Sequence, residues 1–135
     1  MPEEQKDAVA EDTRWAIAHD WYSQNDRSLV ALLKTYLCSD CGKRLGNKKE
    51  PTLKALLASI QDCCAKIPEF FTDKQPIQES IFRLFLRNGN KPMTVKEVSA
   101  ELGRVRAGDI YRTSPETLTL IMKNDRFYGL QPVEG

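Results

Sequence analysis

Apolar residues recur at helical spacing along most of this chain. Positions three and four residues apart share one face of an α-helix, so this spacing predicts three amphipathic helices in the first half of the chain. The first is expected to begin at Asp12 or Thr13, either of which can cap it. The second is expected around Leu29, and the third from Pro51 until Pro68 ends it, with a Gly- and Lys-rich loop at residues 44–49 before the third helix.

A second set of elements is predicted after residue 76. A helix should end at Gly89, because glycine favours the left-handed conformation of C-terminal caps. Thr94 and Glu97 have the spacing of a capping box that opens the next helix. After a loop, Ser114 can cap a last helix, and the residues from Phe127 onward have strand character.

The polar and aromatic stretch at residues 69–75 separates these two sets of elements and is expected to be a hinge. We therefore divide the chain into a disordered tail at residues 1–11, a helical unit at 12–73 and a second domain at 74–135. The predicted fold class is mainly α, and the helical unit contains every cysteine of the chain.

Three short motifs in the second domain have a family resemblance. They are KPMTVKEV at residues 91–98, SPE at 114–116 and DRFY at 125–128. Together with the order helix, strand, helix, helix, strand, they resemble HARE-type helix-turn-helix domains. Those domains are similar in turn to the N-terminal domain of the delta subunit of bacterial RNA polymerase.

The resemblance covers residues 76–131 and implies a winged-helix-like domain that acts as an adaptor for nucleic acid or the transcription apparatus. It also implies that Phe127 anchors the strand to the core and that Thr94 and Val98 start the second helix. Because little chain follows Asp125, the β wing is expected to be short and truncated.

Charge bears on whether this domain binds nucleic acid. Twenty basic and nineteen acidic side chains give a net charge of +1, so no overall field attracts phosphates and a local patch is required. Solvated surface charges account equally well for the basic residues of this region. The candidates for the patch are Arg104, Arg106, Arg112, Thr117, Lys123 and Arg126.

The four cysteines form two pairs, Cys38-x-x-Cys41 and the adjacent Cys63 and Cys64. The first pair has the form of a zinc knuckle, in which two thiolates point at one ion. If packing brings the second pair to this knuckle, the four thiolates complete a tetrahedral zinc site. Four protein ligands leave no open position, so the role of the zinc would be structural.

Other interpretations of the cysteines stay open. An iron–sulfur cluster also accepts four thiolates. Cys63 and Cys64 also fit as small apolar residues on the buried face of the third helix. In that case no metal is bound, and Cys38 and Cys41 are either plain thiols or a redox-active pair. His19, the only histidine, either replaces one cysteine as a ligand or lies partly buried on the first helix.

These features favour a non-enzymatic adaptor that carries a zinc staple and binds DNA or the transcription machinery. One alternative is a protein–protein interaction module that does not bind nucleic acid and docks through outward Leu120 or the aromatic pair Phe70 and Phe71. The other alternative is a metal or redox sensor that uses the cysteine cluster.

Other classes are not expected from this sequence. A single histidine and no nucleophile motif give no general acid and base set, so neither an enzyme nor a small-molecule substrate is indicated. The polar N-terminus lacks a secretory signal, and no apolar run approaches the roughly 18 residues of a membrane span. We therefore expect a cytoplasmic protein that makes no membrane contact.

Overall fold

The structure is a computed structural model that describes residues 12–46 and 51–133. Within these ranges the protein is mainly helical with one small antiparallel sheet, as predicted. The predicted tail at residues 1–11 lies outside the described residues. The strands are β1 (Arg14–Ile17), β2 (Met93–Thr94) and β3 (Leu130–Val133). The helices are α1 (His19–Gln24), α2 (Leu29–Lys34), α3 (Ser39–Gly46), α4 (Leu53–Asp62), α5 (Ile77–Arg87), α6 (Val95–Val105), α7 (Ile110–Thr113) and α8 (Pro115–Lys123).

Strand β1 occupies the centre of the sheet, in the order β2-β1-β3. Trp15 is paired with Met93 on one side and with Pro132 on the other. The prediction of a helix that begins at residue 12 or 13 is therefore wrong for residues 14–17. Trp15 and the two residues after it are all buried. A strand covered on both faces lacks the polar alternation that would have indicated it in the sequence.

Two loop residues fix the C-terminal end of β1. Asn90 has a φ of 59°, and its side chain bonds both backbone groups of Ile17, accepting from its N–H at 2.8 Å and donating to its carbonyl at 2.9 Å. Gly129, with a φ of 68°, accepts the N–H of Ala18 at 2.8 Å. A Cβ at Gly129 would lie 2.9 Å from the ring of Tyr22, so only glycine allows this approach.

One hydrophobic cluster includes residues from both halves of the chain. Leu33 and Ile60 from the first half and Phe82, Leu102 and Leu118 from the second are completely buried in it. The sheet also joins the two halves, because β1 lies between β2 and β3. The division of the chain at residues 73 and 74 stays a prediction, but backbone pairing and core packing both cross it.

The expected hinge at residues 69–75 contributes to this core. Phe70 and Phe71 are 5% and 7% exposed. The guanidinium of Arg83 lies over the Phe70 ring, and that of Arg87 lies over the Phe71 ring. The prediction that these two phenylalanines form an outward docking patch is therefore wrong, because both rings are covered.

Two helices of the second half, α6 and α8, begin where their capping residues predicted. Thr94 and Glu97 form a reciprocal capping box at the start of α6, and Val98 is buried in its first turn. The Ser114 side chain caps α8 by accepting the N–H of Thr117. The expected loop between these helices contains α7, and Phe127, the expected core anchor, is 58% exposed. Leu130 is buried instead, because β3 begins there rather than at Phe127.

No helix in the described ranges is both long enough and apolar enough to span a membrane.

We expect Asn90→Gly to lower the free energy of unfolding by about 2 kcal/mol, since each of the two lost hydrogen bonds contributes about 1 kcal/mol. Glycine tolerates the positive φ, so the change isolates the side chain. Asn90→Asp, which keeps only the acceptor for the Ile17 N–H, should lie between the two. Urea unfolding followed by tryptophan fluorescence measures the series; equal stability of all three proteins would contradict the role of this side chain.

Candidate functional site

The Cys38-x-x-Cys41 motif lies at the start of helix α3. Cys38 immediately precedes the helix, and its carbonyl accepts the N–H of Gly42 at 2.7 Å. Cys41 follows within the first turn and is completely buried. The sequence predicted a loop from Arg44 to residue 49, but residues 44–46 belong to α3, and the rest of that loop lies outside the described residues. The helix places Arg44 beside the knuckle, where its Nη2 donates to the Cys41 Sγ at 3.4 Å.

The second pair of cysteines lies at a break in the chain. Helix α4 ends at Asp62, and Cys63 leaves helical geometry with φ −130° and ψ −64°. A short 3-10 helix then runs from Cys64 to Lys66. The prediction of one continuous helix to Pro68 is therefore wrong. In a helix, adjacent side chains point about 100° apart, so the break is what allows both sulfurs to approach the knuckle.

The sulfurs of Cys38, Cys41 and Cys63 all lie within 4.8 Å of one another. The Cys38 and Cys63 sulfurs are 3.7 Å apart. A tetrahedral zinc ion with Zn–S bonds of about 2.3 Å requires sulfurs about 3.8 Å apart, so this separation matches the edge of such a site. A disulfide requires about 2.05 Å, and all four cysteines are free thiols. The cluster can therefore hold a metal ion through at least three cysteines.

Cys64 provides a fourth sulfur to the same cluster. Its buried Sγ accepts the backbone N–H of Cys38 at 3.1 Å, outside the group of three sulfurs that lie within 4.8 Å of one another. Backbone N–H groups that bond sulfur stabilise thiolates in metal sites. Cys64 therefore lies beside the knuckle as the fourth cysteine of the cluster.

The surroundings of each thiol set how readily it loses its proton. The backbone N–H of Cys41, together with the thiol of Cys64, lowers the pKa of Cys38 to about 7. Hydrogen bonds with the sulfurs of Cys41 and Cys38 raise the pKa of Cys63 to about 11. Burial raises the pKa of the Cys41 and Cys64 thiols. Cys38 is thus the first thiol of the cluster to ionise.

An arginine links the cysteine cluster to the second half of the chain. Arg83 lies over the rings of Tyr36 and Phe70, its Nη1 donates to the Phe70 carbonyl at 3.0 Å, and it pairs with Glu79 at 2.7 Å. Arg83, Tyr36 and Phe70 also line a cavity of ≈ 220 Å³ whose other wall includes Cys38 and Cys64. The cluster and helix α5 therefore line one cavity, which Arg83 borders from the helix side.

His19 lies apart from the cysteine cluster. It is exposed at the start of α1 and lines a groove of ≈ 530 Å³ with Leu53, Leu57 and Gln61 of α4. Among the described residues, the group of closely spaced metal ligands consists of cysteines and does not include this histidine. The alternative in which His19 replaces a cysteine is therefore not supported by its position.

Arg106 does not belong to an accessible phosphate-binding patch. Its side chain is 6% exposed, and it donates to the Gln75 carbonyl at 2.7 Å and to the Ser80 Oγ at 3.2 Å. It also pairs with Asp109. The prediction that Arg106 contacts nucleic acid conflicts with this burial, because its guanidinium ties α6 to the chain before α5.

The other five predicted residues lie along helix α8 and its neighbours. Arg104 and Arg112 are largely exposed, at 76% and 69% of their side chains, and each pairs with one acidic residue. Thr117 is half-buried, and its hydroxyl accepts from that of Ser114 at 3.0 Å. Exposed Lys123 ends α8, about 9 Å along the axis from Thr117, and exposed Arg126 follows the helix. Arg112 thus precedes α8, Lys123 and Arg126 lie at its end, and Arg104 lies on α6.

Two contributors to the cysteine cluster were not identified from the sequence. Arg44 follows Cys41 by three residues, a spacing that places both on one side of a helix. Because a loop was predicted at Arg44, this contact was not expected. Arg83 lies 42 positions after Cys41, on a different helix, and no local signal connects it with the cysteines.

No protein-family model matches this chain, and no curated protein or solved structure shows significant similarity to it. The resemblance of residues 76–131 to HARE-type domains therefore stays a prediction.

Zinc affinity should rise steeply with pH, because zinc binds thiolates and displaces their protons. Above pH 7 the three thiols with raised pKa still carry protons, and below pH 7 Cys38 is protonated as well. We expect the logarithm of the association constant to rise by about three per pH unit near pH 8 and by about four below pH 7. Competition with a chromogenic chelator measures this slope. A slope near zero would show that these thiols do not bind the metal.

Proposed function

We propose that this protein is a non-enzymatic adaptor in which Cys38, Cys41, Cys63 and Cys64 hold a structural zinc ion and the C-terminal helices bind duplex DNA. The observation that carries the proposal is the convergence of the cysteine sulfurs, with a separation of 3.7 Å between Cys38 and Cys63. Cys38 and Cys41 lie at the start of α3, and Cys63 and Cys64 follow the end of α4. An ion bound to them would fasten the start of α3 to the end of α4.

The sulfur spacing favours zinc over the other cofactors. In an iron–sulfur cluster the four cysteines bind two or four different iron atoms, so their sulfurs surround a larger group than a single ion. In a one-ion site every sulfur contacts the same centre, and three sulfurs within 4.8 Å of one another fit that arrangement. The N–H groups of Cys38 and Cys41 and the guanidinium of Arg44 offset the negative charge that four thiolates would bring.

The DNA-binding role rests on the last three helices. Helices α6, α7 and α8 contact one another, and α8 is the one whose outer face would enter a groove. Arg112 precedes this helix, Arg126 follows it, and Arg104 lies on α6; all three are exposed and would contact phosphates. Phosphate contacts of this kind give affinity without base specificity. We therefore propose weakly sequence-selective binding.

A protein-binding module is the second candidate, and three exposed apolar side chains favour it. Tyr111 is 89% exposed, Leu120 is 61% exposed and Phe127 is 58% exposed. They lie before, within and after α8, the helix that would enter the DNA groove in the first proposal. A protein partner would cover apolar surface here, whereas duplex DNA would contact the arginines.

The zinc staple predicts that Cys41→Ser destabilises the protein more when zinc is present than when it is removed. Apparent binding energies of structural zinc are on the order of 12 kcal/mol, so loss of one of four ligands should cost about 3 kcal/mol. Zinc content by elemental analysis and urea unfolding with zinc or with a strong chelator measure this effect. In chelator the same change should cost only about 1 kcal/mol, the cost of a buried hydroxyl.

Ser39→Ala, an exposed position in the same knuckle, is the matched control and should keep both zinc and stability. If Cys41→Ser has the same effect with zinc as with chelator, the staple is contradicted.

If the protein binds DNA as proposed, its affinity should depend on salt through the phosphate contacts of particular arginines. The logarithm of the association constant for a short duplex should fall linearly with the logarithm of salt, and Arg112→Ala or Arg126→Ala should each reduce the slope by about 0.9. Fluorescence anisotropy with a labelled duplex measures this. Lys34→Ala, on α2, is the control and should change neither affinity nor slope.

Binding that is undetectable at about 50 mM salt would overturn the DNA model. In that case a partner whose capture survives nuclease treatment and is lost on Leu120→Ser would support the protein-binding module.

A further inference from the structure

The four cysteines differ in their access to solvent. Cys38 and Cys63 are partly exposed, whereas Cys41 and Cys64 are buried at 0% and 1% exposure. A small oxidant from solution therefore meets one cysteine of each pair. The two accessible sulfurs are also those that lie 3.7 Å apart.

We propose that Cys38 and Cys63 are a site of reversible oxidation by peroxides, at which formation of a disulfide between them releases the zinc. This inference rests on the proposed zinc staple and adds a way in which the staple is opened. It differs from the pairing that the motifs suggest, which is Cys38 with Cys41 or Cys63 with Cys64.

The geometry favours the bond between Cys38 and Cys63 over the two pairings within the motifs. Disulfide-bonded residues usually have Cα atoms about 4.4 to 6.8 Å apart, whereas adjacent residues joined by a trans peptide are about 3.8 Å apart. The described residues contain no cis peptide, so a bond between Cys63 and Cys64 would be strained. Cys41 is completely buried in the first turn of α3 with its sulfur bonded by Arg44, so it is less accessible to an oxidant than Cys63.

A bond between Cys38 and Cys63 needs little movement. Their sulfurs must approach by about 1.7 Å to reach the disulfide length. Cys38 precedes α3 and Cys63 lies at the break after α4, so neither residue is in the interior of a helix. Rotation of the two side chains can therefore supply most of the approach.

The chemistry balances in two steps. The Cys38 thiolate attacks one oxygen of hydrogen peroxide, the O–O bond breaks, and a sulfenic acid and hydroxide form. The Cys63 thiolate then attacks the Cys38 sulfur, which forms the S–S bond and expels a second hydroxide. The two hydroxides take up two protons and become water. The two sulfurs lose two electrons, and peroxide gains them. With Cys38 and Cys63 in a disulfide, only Cys41 and Cys64 would remain to bind zinc.

The test is peptide mapping of zinc-loaded protein after brief treatment with hydrogen peroxide. Free thiols are alkylated and the chain is cut with trypsin, which leaves Cys38 and Cys41 in the peptide 35–43 and the other two cysteines in the peptide 55–66. We expect these peptides to be linked through Cys38 and Cys63. A chromogenic chelator should detect about one zinc released per disulfide, and a thiol reductant with added zinc should restore the starting state.

Single substitutions separate the pairings. Cys38→Ser and Cys63→Ser should abolish the link between the peptides, whereas Cys64→Ser should retain it. Mapping of the unsubstituted chain decides the matter if a variant fails to fold. A bond within the peptide 35–43, a link through Cys64, or only overoxidised single cysteines would overturn the inference.

Zinc content measured before peroxide distinguishes this inference from the staple itself. Protein that contains zinc but forms no bond between Cys38 and Cys63 contradicts only the oxidation site. Protein that never binds zinc overturns the staple and, with it, the release of zinc by peroxide.

Discussion

The central position of strand β1 is the constraint on which the rest of this structure depends. A strand in the middle of a sheet needs backbone partners on both sides, and β1 finds them in β2 and β3, which lie about 80 and 115 residues further along the chain. Helices α5 to α8 must therefore fold in a way that presents both strands to it. The Asn90 side chain and the Gly129 carbonyl complete the bonding where the strand ends.

Local signals in the sequence predicted much of the second half and less of the first. Capping residues such as Thr94 and Ser114 act within one helical turn, so their helices could be located without knowledge of the tertiary structure. Strand β1 could not be located in this way, because Trp15 and Ile17 are buried along with the residue between them and no alternation remains. Its secondary structure is determined by partners distant in sequence, which composition and spacing do not reveal.

The cysteine cluster shows a similar division. The knuckle was evident because two cysteines at this spacing suit one ion. The participation of the adjacent pair depends on the end of α4 at Asp62, where Cys63 takes a non-helical conformation. Apolar spacing continues through this point to Ile67, so the sequence predicted an unbroken helix. The burial of Arg106 and the exposure of Phe127 were likewise beyond local signals, since each depends on which surfaces the other helices cover.

Strand β3 contains Pro132, and Pro92 immediately precedes β2. Proline has no N–H to donate and is tolerated in a sheet where that position faces away from the ladder. Both outer strands of the sheet are thus short and associated with proline, which makes them poor templates for an added strand. The sheet consequently resists the edge-to-edge association through which exposed strands start aggregates.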